Sequence, residues 1–203
     1  MAIGRGEASG GFSKVYDLSL RGASSISADA GWMVWILMKA NRPSVGIHEL
    51  RDLDPLAALS YAVRCSARVR SSLDGALPAR GLGGFDVIAE VDAALESARA
   101  RTVGERADPP PSIRPMQEAC GRLGGRETIA GNIALSVYLT LLASRAVDRG
   151  DPVADLVFSA EQFAWAATVD AKREEFGAAC RRDYDRYLQL GDDWAQVDAD
   201  PLW

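Results

Sequence analysis

The sequence predicts an all-α protein: a single bundle of about six or seven helices around one central apolar helix at 127–149. Three observations carry this. From Thr128 to Ser144 no side chain is charged, and apolar residues fall on every side of the helical wheel. Such a helix is enclosed either by other helices or by lipid. Two Asp-Pro pairs, Asp54-Pro55 and Asp151-Pro152, stand ahead of runs with apolar positions at helical spacing. Aspartate suits the N-cap and proline the first helical position. Only Val15–Leu20 reads as extended, and one isolated strand makes no sheet.

Taken in order, Met1 to about Ser13 is Gly-rich and polar. Residues 1–25 are expected to form a flexible arm, with a single helical domain over 26–203. Trp32–Met38 is a short apolar run stopped by Asn41-Arg42-Pro43, too short to span a bilayer. Ser44 is placed to cap a short helix through Ile47, Leu50 and Leu53. From Pro55 the apolar face is Leu56, Leu59, Ala62 or Val63, Ser66 and Val69. Arg64, Arg68 and Arg70 lie largely off that face, and Gly75 is the expected stop. After the loop Ala76–Gly84 comes a helix from Phe85 to about Val103, striped by Val87, Ile88, Val91, Ala94, Leu95 and Ala98. Residues 104–111 form a hinge, because Asp108-Pro109-Pro110-Pro111 cannot be helical inside. Ser112 caps a short helix to Leu123. Gly124 and Gly125 break the chain before the central helix; Arg145, Arg149 and Gly150 suit its end. The next stripe is Val153, Leu156, Val157, Ala160, Phe163, Ala164 and Ala167. It resumes through Phe176, Ala179, Cys180, Tyr184, Tyr187 and Leu188, as one long helix or as two with a kink between Thr168 and Lys172.

The 203 residues are enough for one domain with a sizeable core. A composition 48% hydrophobic and 25% charged is that of an ordinary globular protein. The net charge of −5 argues against nucleic acid as the main partner, since such binding rests on neutralising phosphates. Abundant Ala, and Arg in preference to Lys, read as a high-GC bacterial composition. Cys65, Cys120 and Cys180 are odd in number, far apart and without a Cys-x-x-Cys pair. They read as small buried apolar residues, not as a disulfide framework or a zinc site. The start MAIGRGEASGG has no apolar core of a signal peptide, so the expected location is the reducing cytoplasm. The uncharged stretch falls just short of a bilayer span and holds Asn132, Ser136, Thr140 and Ser144. That favours a buried helix over a membrane one.

Motifs for chemistry are scarce. His48 has no second histidine four residues on, and no nucleophile elbow is present, so no catalytic residue, metal or cofactor is expected. Gly81–Gly84 and Gly121–Arg126 follow no strand and lack the Lys-Ser/Thr of a phosphate loop; they read as loops. Arg122 and Arg126, ahead of a helix N-terminus, are the one hint of an anion site. Asp192, Asp193, Asp198 and Asp200 do not have the spacing of a calcium loop. Glu174, Glu175, Asp183 and Asp185, set among Arg173, Arg181, Arg182 and Arg186, read as surface pairs four residues apart. The tail carries Trp194, Leu202 and Trp203 among its aspartates. Either it folds back onto the body, or it is a linear motif for a partner groove.

The segments GWMVWILMKA, HELRDLDPLAALSYAVRCSARVRSSL, FDVIAEVDAALESARA and FGAACRRDYDRYLQLG, with the ending DPLW, form a sequence of features over residues 30–203. In these the chain resembles a loose group of Ala-rich, all-helical bacterial proteins, some of them similar to helical immunity or conflict-associated proteins. The resemblance implies a non-enzymatic, partner-binding role and carries over no catalytic residue. The leading expectation is a cytoplasmic protein-binding module, an immunity or defence accessory. Its partner contacts would be Asp192, Asp193, Trp194 and Trp203 of the tail and Arg64 and Arg68 of the helix from Pro55. The alternative is a small helical enzyme or ligand-binding protein, its pocket lined by Tyr138, Trp165 and Tyr184 with an arginine.

Overall fold

A computed structural model describes residues 45–77, 86–104 and 112–191, all within the unit Pro43–Trp203. The arm and its boundary at 25, the Trp32–Met38 run, the hinge beyond Gly104 and the tail beyond Gly191 lie outside the described residues. Among the described residues every regular element is helical: α1 (Ile47–Leu50), α2 (Pro55–Arg70), α3 (Leu73–Ala76), α4 (Val87–Thr102), α5 (Arg114–Arg122), α6 (Ile129–Arg149), α7 (Ala154–Ala167) and α8 (Arg173–Leu190). Single 3-10 turns at Gly125–Glu127 and Asp170–Lys172 precede α6 and α8. The molecule is an all-α bundle, and α6 is its central apolar helix.

The ends of α6 are fixed by local chemistry. Thr128 accepts the Gly131 N–H at 2.8 Å through its hydroxyl, which itself donates to the Leu123 carbonyl. At the other end Gly150 adopts φ 71°, the left-handed conformation glycine enters without a Cβ clash. The Gly150 N–H then reaches Val147 O at 3.1 Å and the Asp151 N–H reaches Ala146 O at 2.9 Å, a Schellman closure. Between these ends, Ile133, Ala134, Val137, Leu141 and Ala143 are buried. Helices α2, α4, α5 and α7 pack around them. By length and composition α6 would also cross a bilayer, but 72% of its most apolar window is buried inside the protein. Its apolar surround is therefore the other helices.

Small residues set how close the helices come. Ala57, Ala58 and Ala62 of α2, Ala130 and Ala134 of α6, and Ala160 and Ala164 of α7 are all buried. Gly131 is the tightest point: a Cβ there would lie 2.0 Å from the backbone oxygen of Gly125. No side chain fits between α6 and the turn before it.

Several boundaries depart from the sequence reading. Asp54 caps α2 as expected, accepting from Leu56 N at 2.8 Å and Ala57 N at 3.4 Å. Asp151 caps nothing: its backbone closes α6 and its carboxylate takes Arg149 Nε at 2.6 Å, so α7 starts only at Ala154. Gly75 does not end α2, which stops at Arg70; fully buried Leu73 instead draws a further turn, α3, onto the core. Asp86, not Phe85, marks the start of α4, accepting from Ala89 N at 3.0 Å. The kink between Thr168 and Lys172 is present and separates α7 from α8.

Candidate functional site

Two polar layers run through the core where α2 crosses its neighbours. In the first, Ser66 Oγ lies 2.7 Å from Ser136 Oγ and 2.9 Å from Thr140 Oγ1. Ser136 donates to Ala160 O at 2.8 Å, and Thr140 to Ser136 O at 3.0 Å. Three hydroxyls thereby join α2, α6 and α7 with their hydrogen bonds satisfied, the condition under which buried polar groups are tolerated.

The second layer lies between α2, α7 and α8 and gathers most of the buried ionisable groups. Ser60 Oγ meets Tyr187 OH at 2.6 Å. One helical turn on, Cys65 Sγ meets Cys180 Sγ at 3.5 Å. A further turn on, Arg68 pairs with Asp183, whose carboxylate also lies 3.9 Å from Arg64 Nε. Glu161 of α7 is wholly enclosed beside this column. Burial first, then the neighbouring Cys65 thiol and the Glu161 carboxylate, push the Tyr61 hydroxyl well above its ordinary range. Burial, the Cys180 thiol and Glu161 do the same to Cys65. These groups therefore stay protonated at neutral pH, and a thiol in that state is a poor nucleophile.

Arg64 and Arg68 do not form the solvent-facing partner surface expected of them. Arg64 is 5% exposed and Arg68 is tied to Asp183. The reason is packing: α2 is met by α4, α6, α7 and α8 and has little free side. Asp183, expected in a surface pair on its own helix, is drawn across to α2; Arg181–Asp185, at 3.0 Å, does follow the expected spacing. Asp183→Ala should cost about 2 kcal/mol by thermal unfolding, reflecting a mostly buried pair that loses its acid. A change within 0.5 kcal/mol, about the size of a surface substitution, would mean that the arginines do not depend on it.

Among the described residues, Tyr138, Trp165 and Tyr184 each engage a different partner. Tyr138 of α6 accepts from Gln117 of α5 at 3.0 Å. Trp165 packs edge-on against Phe176 with ring centres 6.2 Å apart. Tyr184 reaches Glu49 O at 3.4 Å and lies under the Arg181 guanidinium, 5.0 Å away. None of the three lines the cavity of about 270 Å³ bounded by Ala76, Arg122, Leu123, Gly124, Thr128 and Ala130. Arg122 there is held by Glu118 at 3.1 Å through Nε, and Arg126 stacks 5.3 Å over Phe163. Both hinted anion ligands thus have protein partners.

His48 is exposed on α1, and no group of three metal-ligating side chains occurs among the described residues. All three cysteines are free and buried, as read from the sequence. Asp192, Asp193, Trp194 and Trp203 lie outside the described residues. The enclosed Glu161 carries one sequence signal: it follows Ala160 at the edge of the α7 stripe. Comparison with protein-family models, curated proteins and solved structures gave no match.

Proposed function

We propose that the protein is a non-catalytic binding module that docks a protein partner in the bacterial cytoplasm, as an accessory of immunity or defence. The observation that supports this is the enclosure of its chemically capable groups. Tyr61, Cys65, Cys180 and Glu161 are wholly buried, and Arg68 is tied to Asp183. An active site needs such groups convergent on an open cleft. The ligand-pocket alternative draws no support from Tyr138, Trp165 and Tyr184, which have separate partners. The setting in immunity or defence rests on the sequence resemblance.

With Arg64 buried and Arg68 paired to Asp183, we assign the partner contact to the acidic-aromatic tail, where Asp192 and Asp193 precede Trp194 and Trp203 follows. Tryptophan anchors commonly dominate protein interfaces. The test is quantitative affinity capture from the native host with the full chain and with a Trp194→Ala/Trp203→Ala variant. The expected result is at least a tenfold loss of the captured partner, the scale of one or two lost anchors, at an unchanged melting temperature. Capture that is unchanged in the variant would overturn the tail as the contact. A lowered melting temperature would show that the tryptophans close the core.

A further inference from the structure

We propose that Cys65 and Cys180 form a modification site: a buried dithiol that closes into a disulfide and fastens α8 to α2. Their sulfur atoms are 3.5 Å apart although 115 residues separate them in sequence. A disulfide requires about 2.05 Å, so the remaining approach is of order 1.5 Å, within reach of side-chain rotation. The pair lies on the α2–α8 seam, which also carries the Ser60–Tyr187 contact and the Arg68–Asp183 pair. Those contacts join the same two helices within two turns of α8 from Cys180. Cys120 is on α5, beside Tyr138, and away from this seam.

The reaction is exchange with a low-molecular-weight disulfide. One cysteine loses its proton and its sulfur attacks the reagent; the reagent's S–S bond breaks, and one thiol leaves with a proton. The second cysteine, deprotonated in turn, attacks the resulting mixed disulfide and forms the Sγ–Sγ bond as the second thiol leaves. Two protein thiols are oxidised by two electrons, and the reagent is reduced to two thiols. Both protein thiols are fully enclosed, so the reagent reaches them only when α8 parts from α2. The bond then constrains a long loop in the unfolded chain, the arrangement in which a cross-link stabilises most.

The test uses the full reduced chain with oxidised glutathione as the probe, followed by thiol blocking and peptide mapping. One sample is kept in buffer and one in urea well below the unfolding midpoint, to raise the population in which α8 parts from α2 without global unfolding. The expected product is a peptide linking Cys65 to Cys180, lighter by two hydrogens, with Cys120 recovered as the blocked thiol. The oxidised protein should melt several degrees higher, and dithiothreitol should reverse the shift. Separate glutathione adducts on Cys65 and Cys180 in the urea sample, with no linked peptide, would overturn the proposal. So would a Cys180→Ala variant whose melting temperature rises on oxidation as much as that of the unsubstituted chain.

Discussion

Gly131→Ala should destabilise the protein by about 3 kcal/mol or more, at the upper end of overpacking costs. The new methyl carbon would sit 2.0 Å from Gly125 O and 2.7 Å from Gly125 N, so it meets backbone and not a side chain that can turn aside. Relief requires moving the Gly125–Glu127 turn, and with it the Thr128 cap of α6. Gly121→Ala is the internal control. It lies within α5, where nothing stands within 4 Å of its added Cβ. There alanine should raise stability by about 0.5–1 kcal/mol through helix propensity alone. Equal effects at the two positions, read by urea titration, would mean that the close approach at Gly131 is absent in solution.

Leu141→Ala should cost about 3 kcal/mol, since Leu141 is 2% exposed and central on α6. Leu139, at 8% exposed, should cost nearly as much. Leu142, only partly buried, should cost about 1 kcal/mol, in proportion to the smaller area removed from water. The graded order at three positions within about one turn tests which face of α6 the other helices cover. A larger loss at Leu142 than at Leu141 would put the wrong face inward.

What was legible in the sequence was local. The uncharged run, Gly124-Gly125 and Gly150 place α6 to within two residues, because glycine breaks act through their own backbone neighbours, while the Thr128 cap is visible only in the structure. The sequence allows either one long helix or a break at Thr168–Lys172, and the structure has the break. Asp151 misleads because its local signal competes with the Schellman closure of the preceding helix, which claims the same residue. The polar layers were not legible, because they depend on pairings between helices. Cys65 and Cys180 are 115 residues apart, as are Arg68 and Asp183. The stripe on α2 suggests an outer face for Arg64, yet burial follows from how many neighbours a helix has, which its own periodicity does not record. Glu161 is hard to read for the same reason: its neighbours Tyr61 and Cys65 belong to α2, distant in sequence.

Native-state hydrogen exchange followed by mass spectrometry tests most directly whether α6 organises the bundle. If it does, the amides of Ile133–Ala143 exchange last, and only through global unfolding, so their protection tracks the full stability measured in urea. Outer helices, among them α5 on α6 and α8 on α2 and α7, should open sooner through smaller fluctuations. Slower exchange in α4 or α8 than in α6, or exchange of α6 well below the global unfolding free energy, would contradict a bundle built around it.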